Sequence, residues 1–285
     1  MNWFLLTALS VVFRAIYGVL TKVLSNKAKV SVYTQAMMLP LAAGVIALIF
    51  SSLLGGLRFN VKEVDLLIVA LVVLGQGLGN IAYFAAIASL TNATAQISFS
   101  SILIFNTILS LMFFNLHLSL INVLGLILLM TAIMSVVVGK IEFNKKGVAL
   151  MILAAFLFSI FQLSSAKMSS EVEAAVYLVI AYFGASLTVF IFKWKIIIKD
   201  LTKAQKISSV LGWPFLTAIP SLGNFIFAYY AYRVAPEPAK VAMLLTSQVV
   251  LAVLLSYFFL RERQYLGRKI LAAMVVVMAA FLIKM

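Results

Sequence analysis

The amino-acid sequence predicts an all-α fold, a polytopic membrane protein of ten transmembrane helices in two five-helix inverted repeats, residues 1–140 and 141–285 of one membrane domain. Three observations predict it. The 285 residues are 65% hydrophobic and only 11% charged, whereas soluble domains run at about 45–50% apolar and about 25% charged; so few charges cannot cover a water-facing surface. Apolar runs of roughly the 20 residues that a spanning helix needs recur along the chain between mostly short connections. The second half of the sequence also echoes the first at a nearly constant offset.

Taken in order, the first span, 3–23, lacks a basic stretch before it and is interrupted by Arg14, which reads as a retained span and not a cleaved signal peptide. The second is 31–54. The third, 64–89, carries Gly75 and Gly79 at GxxxG spacing, which suits close helix packing. The fourth, 93–115, spaces Gln96, Ser100, Thr107 and Ser110 at i, i+4, i+11 and i+14; the fifth is 118–138. After a basic linker with Lys140, Lys145 and Lys146 come the sixth, 147–166, and the seventh, 174–192. The eighth, 207–232, holds Pro214 and Pro220, expected to kink it where protein or cavity water satisfies the freed carbonyls. The ninth, 237–260, opens with Glu237 between two prolines, where a carboxylate complements the helix dipole. The tenth is 266–283.

At an offset of 145, Phe13 meets Phe158, Lys22 meets Lys167, and Phe113-Phe114 meets Phe258-Phe259; at 144, Val32-Tyr33 meets Val176-Tyr177, and Leu78-Gly79-Asn80 meets Leu222-Gly223-Asn224. Each half carries five spans. Five is odd, so the second half enters the membrane in the opposite sense. Two such copies packed about a shared axis can expose a central site to one side and then the other, which is the architecture of alternating access.

The charges narrow the function. The net charge of +14 comes from 22 Lys+Arg against 8 Asp+Glu, and in a polytopic protein such an excess belongs to basic loops, not to nucleic-acid binding. Most of the cations fall in connections 1–2, 5–6, 7–8 and 9–10, which by the positive-inside rule predicts both termini outside. There are no cysteines, one histidine (His117), and only two aspartates, Asp65 and Asp200, far apart and next to span ends. Paired carboxylates and metal clusters are therefore missing, so the sequence offers no catalytic residue, metal site or cofactor, and no enzyme.

Five plus five spans, the basic linker and the similar fourth and ninth spans resemble the drug/metabolite transporter superfamily, EamA type. The stretch Ala231-Tyr232-Arg233-Val234-Ala235-Pro236-Glu237-Pro238-Ala239-Lys240-Val241 and the exit Phe258-Phe259-Leu260-Arg261-Glu262-Arg263 carry that resemblance. Two departures stand out: Ile104 and Val249 occupy the place of a proline often found inside the fourth and ninth spans, and His117 is the first-half counterpart of Glu262. The resemblance implies a transporter, commonly an exporter of small metabolites such as amino acids, with a cavity lined by spans one, three, four, six, eight and nine.

A polar side chain in hydrocarbon is costly unless it faces a cavity or a partner, so intramembrane polar residues mark the site. Arg14 lies near the centre of span one, where a charge costs roughly 2.5–3.5 kcal/mol on insertion scales. Thr7, Ser10, Arg14, Tyr17 and Thr21 form one helical stripe; the repeat places Ser159 and Gln162 at the matching heights of span six. Gln76, Asn80 and Tyr83 share a face of span three, answered by Asn224 in span eight, and Gln248 lies near mid-membrane in span nine. The candidate substrate-binding residues are thus Arg14, Tyr17, Gln76, Asn80, Tyr83, Gln162, Asn224 and Gln248. Arg14 serves either as ligand contact or as a structural hydrogen-bond hub, and Asn80 and Asn224 either line the cavity or bond between helices. Lys22, Lys167 and Lys240 are expected to snorkel, and Glu262 between Arg261 and Arg263 to form an interfacial ion pair.

The expectation is a secondary active transporter, an exporter in the cell membrane, for a small polar or amphipathic solute. An anionic group on the solute would explain Arg14, and a zwitterion serves equally. The alternative is a lipid or isoprenoid-headgroup flippase or scramblase. The expected partners are the small-molecule substrate and the lipid bilayer, with no nucleic acid; coupling to a proton or another ion, and a monomer or a homodimer, are all compatible with the pattern.

Overall fold

Every regular element among the described residues is helical, as a chain must be when its backbone polar groups lie in hydrocarbon and are satisfied within each segment. The computed structural model describes residues 2–57, 65–114, 119–138, 144–203, 207–235, 241, 244–245 and 247–284. Its helices are α1 (Trp3–Lys27), α2 (Val32–Ile49), α3 (Leu66–Ile87), α4 (Asn92–Phe99), α5 (Ile102–Phe114), α6 (Leu120–Val138), α7 (Lys145–Glu171), α8 (Ala174–Lys203), α9 (Ile207–Val234), α10 (Gln248–Phe259) and α11 (Leu266–Lys284). Eight spans, α4 and α5 counted together, are long and apolar enough to cross a membrane, and α6 and α10 are shorter apolar helices. The protein is a multi-pass membrane protein. Helix starts carry side chains that accept from the otherwise unpaired backbone donors of the first turn: Asn2 for α1, Ser31 for α2, Asp65 for α3, Thr91 for α4 and Asn144 for α7.

Two elements differ from the sequence reading. Span four is not one helix. It breaks at Ser100 and Ser101, where Ser101 N donates to the Ser98 carbonyl and Leu103 N to the Ser100 carbonyl, the i to i+3 bonds of a tight turn. The same bonding recurs at Ser247, whose N–H donates to Leu244 and whose carbonyl accepts from Val250. Both breaks form without the proline absent from Ile104 and Val249; small hydroxyl residues beside the break leave the backbone free to tighten. Span seven has its expected end at 192 marked by a kink at the non-helical Lys193, and a second helical segment of α8 follows to Lys203. Its lysines end the apolar run and the first of them, Lys193, is the kink itself; beyond it the lysine-rich segment stays helical, because charge limits membrane depth while helix propensity stays good.

The main helix pairs are α3 with α7, α1 with α9, α2 with α8, and α6 with α11, while α4 also packs on α10. Glycines make these approaches close. A Cβ on Gly75 would sit 3.0 Å from the Phe161 amide nitrogen, and one on Gly79 would meet the Phe158 ring at 3.0 Å, so the expected GxxxG packing is the α3–α7 contact.

Hydrogen bonds at the helix ends fix how the pairs run. Asp200, near the end of α8, accepts from Ser31 N (2.7 Å) and Thr34 Oγ1 (2.7 Å) at the start of α2. Asn122, at the start of α6, donates to the Leu282 and Ile283 carbonyls at the end of α11. Glu262, just beyond α10, accepts from the backbone N–H of Asn92 (2.7 Å) and Ala93 (3.2 Å) at the start of α4. Each of these three pairs is antiparallel. Glu262 therefore acts as a cap across the two halves. Around it Asn92 Nδ2 donates to Ser256 Oγ (2.8 Å), and Lys269, only 1% exposed, donates to Thr91 Oγ1 (3.1 Å). Glu262→Ala is expected to lower stability by about 1–3 kcal/mol, since two buried backbone donors lose a charged acceptor; thermal unfolding in detergent would measure it, and an unchanged midpoint would remove the cap from this account. Lys22, expected to snorkel, donates to the Ile87 carbonyl at the end of α3 and to the Leu90 carbonyl just beyond it.

Candidate functional site

Arg14 sits in the middle of α1, more than about 16 Å along the helix axis from either end. The helix is held there from one side. Ser10 Oγ donates to both Asn224 Oδ1 (2.9 Å) and the Asn224 carbonyl (3.0 Å) on α9, Phe13 stacks on Phe227 at 5.4 Å, and a Cβ on Gly223 would meet the Phe13 ring at 2.7 Å. With Ser10 and Phe13 committed to α9, the half-buried Arg14 faces a cavity where the broken spans four and nine meet.

That cavity measures about 50 Å³ and is lined by Arg14 of α1, Phe99, Ser100, Ile102, Leu103 and Asn106 around the first break, Gln162 of α7, Tyr232 of α9, and Leu245, Gln248 and Val249 around the second. It has room for roughly four water-sized groups. Tyr232 at its edge is 40% exposed. Two amide pairs organise the wall. Asn106 Nδ2 donates to Gln162 Oε1 (3.0 Å), tying span four to span six. Gln248 Nε2 donates to Gln96 Oε1 (3.5 Å), and Gln96 Nε2 to the Tyr83 hydroxyl (3.1 Å), tying span nine through four to three. Among the described residues Asn106 Oδ1 and Gln248 Oε1 accept no hydrogen bond, and Arg14 makes neither a hydrogen bond nor an ion pair. Tyr17, Tyr83 and Tyr232 lie within electrostatic reach of its guanidinium.

Of the residues singled out from sequence, the fold brings Arg14, Gln162 and Gln248 to one cavity. Tyr83 reaches it through Gln96, and Tyr17 lies one turn from Arg14 on the same helix. Gln76 and Asn80 are buried in α3 away from this cavity, and the Asn224 side chain is spent on Ser10. His117, Glu237 and Lys240 lie outside the described residues. Asn106 and Tyr232 were missed. The signal for Asn106 was present, a lone amide in the run Ile-Leu-Ile-Phe-Asn, but the break at Ser100 and Ser101 resets the helix phase, so spacing from Gln96 does not give its direction.

Comparison with known proteins gives two findings. The family model of the EamA-like transporter family matches residues 1–138 and again 145–285. A crystal structure of a protein 13% identical in sequence superposes with a TM-score of 0.69, covering 98% of this chain and 95% of that chain, a likeness of fold. No curated protein matches the sequence.

Proposed function

The chain belongs to the EamA-like transporter family, and on that premise we propose that it is a secondary active transporter, an exporter in the cell membrane, that moves a small polar or amphipathic metabolite by alternating access between two inverted five-span repeats. The observation that carries this reading is the Arg14 cavity, placed where the two broken spans, one from each half, meet. Irregular backbone at membrane depth is tolerated where it lines a cavity, and transporters place their sites there.

Several contacts support the inverted arrangement. α2 and α8, and α6 and α11, are equivalent spans of the two halves, as are spans four and nine, and the α2–α8, α6–α11 and α4–α10 contacts each run antiparallel. Exchanging the halves turns the α1–α9 pair into α7–α3 and the α2–α8 and α6–α11 pairs each into itself. The ends also sort as ten crossings require: Asp200 meets Ser31, and Glu262 meets Asn92, joining connections 7–8 with 1–2 and 9–10 with 3–4. On the other side Glu173 in connection 6–7 pairs with Arg233 in 8–9 at 4.0 Å.

The chain has no native cysteine, so single replacements report access directly. Leu103→Cys is expected to react with a membrane-impermeant thiol reagent from each face of the membrane. Adding Asn92→Cys and Ser256→Cys, whose native side chains are hydrogen-bonded at 2.8 Å, and oxidising the pair should remove access from that face alone. Access that ignores the cross-link, or coincides from both faces at all times, would count against alternating access. Labelling at Lys199 from the outer face would overturn the orientation expected from the basic connections.

A further inference from the structure

We infer that the solute taken by this cavity carries a net negative charge, with a carboxylate-like group on Arg14 and uncharged O–H or N–H donors on the Asn106 and Gln248 carbonyls. The inference rests on the transporter reading above and narrows it. Its ground is a charge balance. Arg14 brings one positive charge to mid-membrane, and no carboxylate is among the residues that line the cavity. The described carboxylates are Asp65, Glu173, Asp200 and Glu262, all at or near helix ends; Asp65, Asp200 and Glu262 are occupied there as caps and Glu173 by Arg233. A buried guanidinium without a counter-charge is destabilising, and a fork of five donors is repaid best by a planar or tetrahedral oxyanion held through two of them.

A monoanion brings the occupied cavity to neutrality. A neutral zwitterion leaves the +1 in place and adds an ammonium, for which the wall offers amide carbonyls but no carboxylate. An amine raises the buried charge to +2. The other polar atoms then find a use. Gln248 is 4% exposed and its Oε1 is buried and unpartnered, as is Oδ1 of Asn106, which lines the same cavity. Two spare acceptors flanking a guanidinium suit donors that stand beside an anionic group, as in a 2-hydroxy acid or an N-acylated amino acid. A compact anion suits a space of about 50 Å³. An anionic lipid headgroup presents the same chemistry as a free organic anion.

The full-length protein in phosphatidylcholine vesicles would be titrated with lactate and N-acetylglycine as monoanions, alanine as zwitterion, ethanolamine as cation and glycerol as neutral donor, reading thermal stabilisation and uptake. In a parallel arm phosphatidylglycerol replaces part of the vesicle lipid. Saturable stabilisation by the monoanions, weakened about 10- to 100-fold in Arg14→Gln, as for loss of a hydrogen bond to a charged group, and unaltered in Lys199→Gln, is the expected result. A response confined to phosphatidylglycerol keeps the anion and assigns it to a lipid. Preference for alanine or ethanolamine, an anion effect that survives Arg14→Gln, or no response to any anion in either arm overturns the inference. Monoanion binding without movement across the membrane leaves the inference standing and defeats the transporter reading instead.

Discussion

Replacing Arg14 by leucine is expected to abolish transport and, in the same protein, to raise the melting temperature. The two effects share one cause. The guanidinium lies mid-helix with no hydrogen bond or ion pair among the described residues, between tyrosines that carry no charge at neutral pH. Holding it there costs roughly 2.5–3.5 kcal/mol on insertion scales, and leucine removes that cost while occupying part of the same space. What leucine cannot do is donate to a solute: losing a charged hydrogen-bonding group is worth about 1.5–3 kcal/mol, and an alternating-access cycle that starts from a weakly bound solute turns over slowly or not at all. Uptake into vesicles and thermal unfolding in detergent would be measured on one preparation. A variant that loses transport because it is destabilised would mark Arg14 as a structural hub instead.

The second large effect is expected at Gly125, far from the cavity. A Cβ at this position would lie 2.8 Å from the amide nitrogen of Ile283 and 2.9 Å from the carbonyl of Ala279, both backbone atoms of α11. Side chains can rotate away from an intruding methyl; a helix backbone cannot, so α6 and α11 must part along a contact that Asn122 also holds by hydrogen bonds. Gly125→Val should destabilise by about 3 kcal/mol, at the upper end for overpacking, whereas Gly212→Ala, with nothing within 4 Å of the added carbon, should be neutral or slightly stabilising through better helix propensity. Paired thermal unfolding curves would show it; equal midpoints for the two variants would refute the close α6–α11 approach.

The packing glycines differ in how well they could be read. Gly75 and Gly79 announced themselves by their spacing, and both are packing positions against α7. Gly125 stands alone in an apolar run, and no period in the sequence says that a second backbone passes there. The same limit separates Arg14 from Asn106. A charge in the middle of a span is conspicuous wherever the helix is placed. A neutral amide on a helix whose phase is reset by a break is visible as a letter, but its direction is not. Glu262 shows a third case: its flanking arginines are local and suggested a local partner, yet its acceptor capacity goes to the first turn of α4, 170 residues away in the chain.

By itself the sequence determined that this chain lives in a bilayer, where most of the described helices begin and end to within about five residues, that its halves resemble one another, and which polar side chains stand in apolar runs. These are properties of composition and local order, and the bilayer enforces them on each segment separately. Only the tertiary structure decided which of those polar groups share a cavity, which bond helix to helix, and where spans four and nine break. In hydrocarbon the hydrophobic effect does not draw helices together, so small residues, caps and a few hydrogen bonds across the halves set the helix faces, and those contacts join positions that no stretch of sequence holds side by side.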